Sequence, residues 1–323
     1  MRKIENQVSN FLIEIMTNPL RVQMNNPNLP VPFNEFETLI KGCLAHLKNI
    51  SNLVVLNENY KDLLIIADTH GFMDSTIRII QPFLEEKVES LVFLGDYVDR
   101  GPCSLVNLTL VLALMIAWPN IVTILRGNHE HLKINAAFGF KKELYAYHYR
   151  LKEIKRIEEL LGHLYNHLSL AALTPQKSIT CHAGIPKGMK SIKELEAIPK
   201  PHDSLLTNGL AGEYKKALQI LLNEPRENQD VPFRSYFKDN MFYFNETVVE
   251  DFLRNSDARR IIRGHESSRG GFQSIFNGKI LHIISTEPYF DKISGARVIH
   301  EQSDGRTFLR DLDFNEIKEI KIF

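Results

Sequence analysis

The chain has 323 residues, 44% hydrophobic and 24% charged, the usage of an ordinary folded protein, which excludes a disordered chain and a membrane-spanning one. Its 39 basic and 39 acidic residues cancel, so no overall field draws it to nucleic acid or anionic lipid, and neither is expected as a partner. Three cysteines, Cys43, Cys103 and Cys181, without a CxxC spacing, exclude a disulfide framework and a thiolate zinc site.

The amino-terminal residues lack the apolar stretch and small-residue cleavage site of a secretory signal, and a cytoplasmic protein is expected. Phe36, Leu39, Ile40, Cys43, Leu44 and Leu47 recur at helical spacing and form a stripe that must pack on another element. Residues 1–60 read as an N-terminal helical extension on a main domain formed by residues 61–323. From residue 61, short apolar runs each stop at a polar cluster: Leu63–Ala67, Leu91–Leu94, Ile121–Leu125, Ser178–Cys181, Arg260–Ile262 and Lys279–Ile284. Such runs are buried-strand signals. Residues 151–168 and 214–222 have helical periodicity, and strands alternating with helices predict an α/β domain. The polar, proline-containing stretch 223–240 reads as a surface loop beside a site.

Five apolar runs end in clusters rich in Asp, Asn, His and Gly: Asp68-Thr69-His70-Gly71, Gly95-Asp96-Tyr97-Val98-Asp99-Arg100-Gly101, Gly127-Asn128-His129-Glu130, His182-Ala183-Gly184 and Gly264-His265-Glu266. Open α/β sheets bind ligands at the carboxyl ends of their strands, where these loops would meet. Carboxylate and imidazole donors without thiolate suit manganese, iron or zinc.

The clusters resemble the signature motifs of the PPP family of metal-dependent serine/threonine protein phosphatases, GDxHG, GDYVDRG, GNHE, HGG or HAG and a late histidine. The likeness covers roughly residues 60–300, and Gly95–Gly101 agrees at every position. It implies a four-layer metallophosphoesterase sandwich, two central mixed β-sheets flanked by helices, with strands near 296–312 completing one sheet and residues 61–323 as the catalytic domain. It also implies that Asp68 and His70 hold one metal, that Asn128, His182 and His265 hold a second, and that Asp96 bridges the two. Two such cations, about 3.5–4 Å apart, make a hydroxide nucleophile from bound water at neutral pH. Manganese is the first choice of metal, with iron or zinc as alternatives.

By the same resemblance His129 is the general acid, Asp99 orients it, and Arg100 grips the phosphate with its planar fork of donors. Asn128 also borders the phosphate. Tyr289, in a segment resembling SAPNY, contributes a further contact. A second phosphate-binding cation is either Arg234, which keeps the residue type, or Lys238, which keeps the spacing and loses the fork. Leu221–Pro225 looks like a weakened LWSDP. The implied activity is hydrolysis of phosphoserine and phosphothreonine in phosphoproteins. The alternative is a dinucleoside tetraphosphatase, whose motifs run closer to GDxVxRG and GNHD. No motif points to a regulatory subunit.

Overall fold

A computed structural model of the chain describes residues 31–57, 59–202, 212–237, 240–287 and 295–321. Helix α1 (Phe33–Leu47) precedes β1 (Leu53–Val55), after which β2 (Leu63–Ile66), α2 (Met73–Leu84), β3 (Ser90–Phe93), α3 (Ser104–Ala117) and β4 (Val122–Ile124) alternate. Helices α4 (Leu132–Phe138), α5 (Phe140–Ala146) and α6 (Leu151–His167) follow, then the hairpin β5 (Ala171–Leu173) and β6 (Ser178–Cys181) and helix α7 (Glu213–Gln219). Next come β7 (Glu224–Pro225), β8 (Phe233–Phe237), β9 (Met241–Phe244), α8 (Glu246–Asn255) and β10 (Arg260–Arg263). The last strands are β11 (Phe272–Ile275), β12 (Ile280–Ile283), β13 (Val298–Glu301), β14 (Thr307–Arg310) and β15 (Glu316–Glu319).

Two six-stranded mixed sheets form the centre, in the orders β15-β14-β13-β2-β3-β4 and β1-β5-β6-β10-β12-β11. Strands β2, β3 and β4 run parallel, as do β6, β10 and β12. The alternation along each strand explains the layering. Leu64, Ile66, Leu91 and Phe93 pack with α1, α2 and α3 on one side, while Ile65, Ala67, Val92 and Leu94 meet Ile262, Leu281 and Ile283 of the other sheet. Ile179, Ile261 and Ile280 turn outward again onto α7 and α8. Because both faces of the central strands are covered, strands such as β2, β3 and β6 read as nearly continuous apolar runs. The result is helices, sheet, sheet, helices, the α/β sandwich expected from the sequence.

Three readings change. The segment read as a helical extension also contains β1, whose three residues are too few to show a period and which pairs with β5 at a sheet edge. The stretch read as a loop contributes β7 and β8, which with β9 form a small three-stranded sheet; the exposure of β8 hides its strand character. The carboxyl-terminal sheet runs beyond Leu312, to β15. Helix α1 packs on α3 and α6 inside the largest core, and no helix among the described residues is long and apolar enough to cross a membrane.

Candidate metal centre

Asp68, Asp96, Asn128, His182 and His265 follow the carboxyl ends of β2, β3, β4, β6 and β10 by one to four residues, so the sheets deliver them to one place. The loops are held in unusual conformations. His70, Asp96, Asp99, Arg100 and His265 have φ of 43°, 57°, 70°, 68° and 81°, in the left-handed region that costs L-residues roughly 1 kcal/mol or more. Interlocking contacts impose them: the His70 N–H donates to Asp96 O at 2.9 Å, and Gly101 N to His70 O at 2.8 Å. A Cβ at Gly127 would overlap the Asp96 carboxylate, and one at Gly264 the Asp68 carboxylate, so only glycine allows these approaches.

Two of the imidazoles are oriented by backbone carbonyls. His70 Nδ1 pairs with Val98 O at 2.9 Å, which turns Nε2 toward Asp96 Oδ2 at 3.5 Å and Asp68 Oδ1 at 3.8 Å. His182 Nδ1 pairs with Leu94 O at 3.1 Å, leaving Nε2 3.4 Å from Asp96 Oδ2 and 2.8 Å from Asn128 Oδ1. His265 Nδ1 lies 3.0 Å from the same Asn128 oxygen, and its own N–H donates to Asp68. With Nδ1–H committed to a carbonyl, His182 Nε2 carries a lone pair facing an amide oxygen, an arrangement of acceptors that a cation satisfies.

Electrostatics agree. Burial pushes the Asp68 carboxyl up to about 6, and burial with Asp68 and Glu130 nearby pushes Asp96 well above its usual range. Burial holds the His70 and His182 imidazoles well below theirs and lowers His265 to about 3. The imidazoles therefore keep their lone pairs, and a positive charge beside the crowded carboxylates would favour their ionised forms. Asp68, Asp96 and His182 form one group of donor atoms within 4.8 Å of one another, and His70, Asp96 and His129 another, both sharing Asp96. These residues fit a pair of hard or borderline metal ions.

His129 differs from the other members of its group. Its Nδ1 is bound to Asp99 Oδ2 at 2.8 Å, and its Nε2 faces the Arg100 guanidinium at 3.2 Å, so a cation already occupies the side a metal would need. Burial lowers its pKa while Asp99 raises it. Arg100, on the exposed rim, lies over the Phe138 ring at 5.4 Å. Asp99 also accepts from Phe140 N at 3.0 Å and from Asn135 Nδ2 at 2.8 Å.

Arg234 is carried by the small three-stranded sheet. It stands on β8, exposed, opposite Tyr243, with β9 between it and Glu224 of β7. Lys238 and Tyr289 lie outside the described residues. Sequence reasoning missed Arg226, which lies 4.5 Å over the Tyr243 ring and donates to Glu224 and Glu266 at 3.0 and 3.2 Å, with Glu224 Oε1 itself 3.5 Å from His265 Nε2. It also missed the work of Glu130, whose carboxylate accepts from Asp96 N, Tyr97 N and Gly127 N at 2.7, 2.9 and 2.8 Å. The signal for Glu130 was its fixed place in a motif; for Arg226 there was none.

Residues 62–268 match the calcineurin-like phosphoesterase family. Over 229 residues the chain is 27% identical to the serine/threonine-protein phosphatase PP2A-like PPG1 of Saccharomyces cerevisiae, covering 70% of this chain and 61% of that protein. Over 251 residues it is 30% identical to the serine/threonine-protein phosphatase BSL2 of Arabidopsis thaliana, covering 73% of this chain and 23% of that protein. The chain thus spans less than two thirds of either relative's length. A solved Saccharomyces cerevisiae protein serine/threonine phosphatase with similarity to human phosphatase PP5 superposes with a TM-score of 0.78 at 22% identity, covering 97% of this chain and 99% of that one.

Proposed function

We propose that this chain, which belongs to the calcineurin-like phosphoesterase family, hydrolyses phosphoserine and phosphothreonine in proteins. The observation that carries the reading is the hydrogen-bonded His129–Asp99 pair, set beside buried carboxylate and imidazole donors with Arg100 at the rim. Similarity to two proteins named serine/threonine phosphatases supports it. In this reading Asp68 and His70 hold one metal ion, Asn128, His182 and His265 a second, and Asp96 both, with manganese the first choice and iron or zinc the alternatives. Two bound cations supply a water-derived nucleophile near neutral pH and neutralise charge on the phosphate.

The chain's own residues do the rest. Arg100 turns from His129 Nε2 to grip the phosphate together with the Asn128 amide, which frees Nε2 to carry the proton that His129 delivers to the departing serine oxygen, a poor leaving group as an alkoxide. Asp99 holds Nδ1 and stabilises the imidazolium. Arg234 or Lys238 supplies a second phosphate contact, and Tyr289 another. The substrates are phosphoproteins, and the compartment is the cytoplasm. Hydrolysis rates of the manganese-loaded protein on a phosphoserine peptide and on a dinucleoside tetraphosphate test the assignment. A higher kcat/KM on the peptide is expected; preference for the nucleotide would overturn it.

A further inference from the structure

We infer that Asn135 is a positioning residue for proton delivery: from helix α4 it locks the His129 ring and the Asp99 carboxylate into one fixed arrangement. The inference rests on the phosphatase reading above. Asn135 is 3% exposed, and its Nδ2 donates both to Asp99 Oδ2 and to His129 O, each at 2.8 Å. The same carboxylate oxygen takes His129 Nδ1 at 2.8 Å. The four groups close a ring: histidine ring, carboxylate oxygen, amide nitrogen, and the backbone of the same histidine. Such a ring fixes the rotation of the imidazole as well as its distance, which a single hydrogen bond cannot do.

Two features separate this role from ordinary packing. Both hydrogens of the amide are spent on this pair, while its buried Oδ1 has no hydrogen-bond partner among the described residues, a costly arrangement for a side chain present only to fill space. The orientation is also forced by chemistry, since a flipped amide would set Oδ1 against the Asp99 carboxylate and the His129 carbonyl, two acceptors. Asp99 is fixed from its other sides by Phe140 N on Oδ1 at 3.0 Å and by its own N–H donating to Ser104 Oγ at 3.1 Å. Asn135 completes the enclosure at the one oxygen that touches His129.

The consequence is specific to the leaving group. In hydrolysis a water oxygen, having given a proton to solvent, bonds to phosphorus, the phosphorus–oxygen bond to serine breaks with its electron pair going to the serine oxygen, and that oxygen takes the His129 Nε2 proton, which solvent then restores. A serine alkoxide needs the proton; a nitrophenolate does not. Loosening His129 therefore harms alkyl phosphates far more than aryl phosphates.

The test compares manganese-loaded wild type with Asn135→Ala and Asn135→Asp on a phosphoserine peptide and on p-nitrophenyl phosphate. In Asn135→Ala, kcat on the peptide should fall about 10–100-fold with little change in KM or metal content, and kcat on the aryl ester less than about three-fold. Asn135→Asp keeps the shape but turns both donors into acceptors, and should be worse than the alanine. Equal losses on both substrates, or a well-tolerated aspartate, would overturn the inference. The downfield proton resonance of the His129–Asp99 hydrogen bond, recorded on the zinc-loaded protein because paramagnetic manganese would broaden it away, and assigned by its loss in His129→Asn, gives a second readout independent of turnover. It should be sharp in the wild type and lost in Asn135→Ala; an unchanged resonance refutes the positioning role. A metal-loaded wild type inactive on both substrates would sink the phosphatase reading instead, and the resonance would still decide the part of Asn135.

Discussion

His129 is engaged at both ends, its Nδ1 on Asp99 at 2.8 Å and its Nε2 toward the Arg100 guanidinium at 3.2 Å. Burial lowers the pKa of the imidazole and the Asp99 carboxylate raises it. Asp99→Asn removes the raising influence, so the protonated ring is lost at lower pH, and the alkaline limb of kcat on a phosphopeptide should shift toward acid. At neutral pH the loss in kcat should be about 10²-fold or more. An unmoved limb in the pH profile would contradict the assigned part of Asp99. The residues grouped by the fold were legible because each follows an apolar run directly, so its loop position could be read without knowing any contact. Arg226 was not legible, because its value depends on Glu266, forty residues away in the chain, and on the Tyr243 ring beneath it.

The loop after β3 and the loop after β4 are joined by Glu130, which accepts three backbone N–H groups and stands against Asp96. Burial pushes its carboxyl up to about 7 although those three donors pull the other way. Glu130→Gln places an amide N–H₂ where an oxygen was needed and leaves at least one buried donor unpaired, at about 1–3 kcal/mol. Thermal unfolding should report a loss of that order, and manganese should bind about 10–100-fold more weakly because the Asp96 loop is no longer pinned. Unchanged stability together with unchanged affinity would show that the staple is incidental. At this scale the sequence revealed strands buried on both faces, such as β2 and β3, and concealed half-exposed ones, such as β8, and very short ones, such as β1 and β7.

Across the whole molecule, the two mixed sheets meet through Ile65, Ala67, Leu94, Ile262 and Ile283. That inner seam is what brings the ends of β2, β3 and β4 opposite those of β6 and β10. The face-to-face arrangement could not be read from periodicity, which reports that a strand is buried but not against what; it followed from the family likeness. Helix α1, whose apolar stripe was expected to pack on another element, is part of the largest core, with Phe36 and Ile40 fully buried.

Asp96 is common to both groups of donor atoms, so the two-metal account stands or falls there. The most direct test is elemental analysis of manganese-loaded wild type and Asp96→Asn, with turnover on a phosphopeptide measured on the same samples. About two metal ions per wild-type chain are predicted, with both metal content and turnover reduced in Asp96→Asn. A wild type that binds no metal, or an Asp96→Asn protein that keeps both its metal and its turnover, would contradict the account.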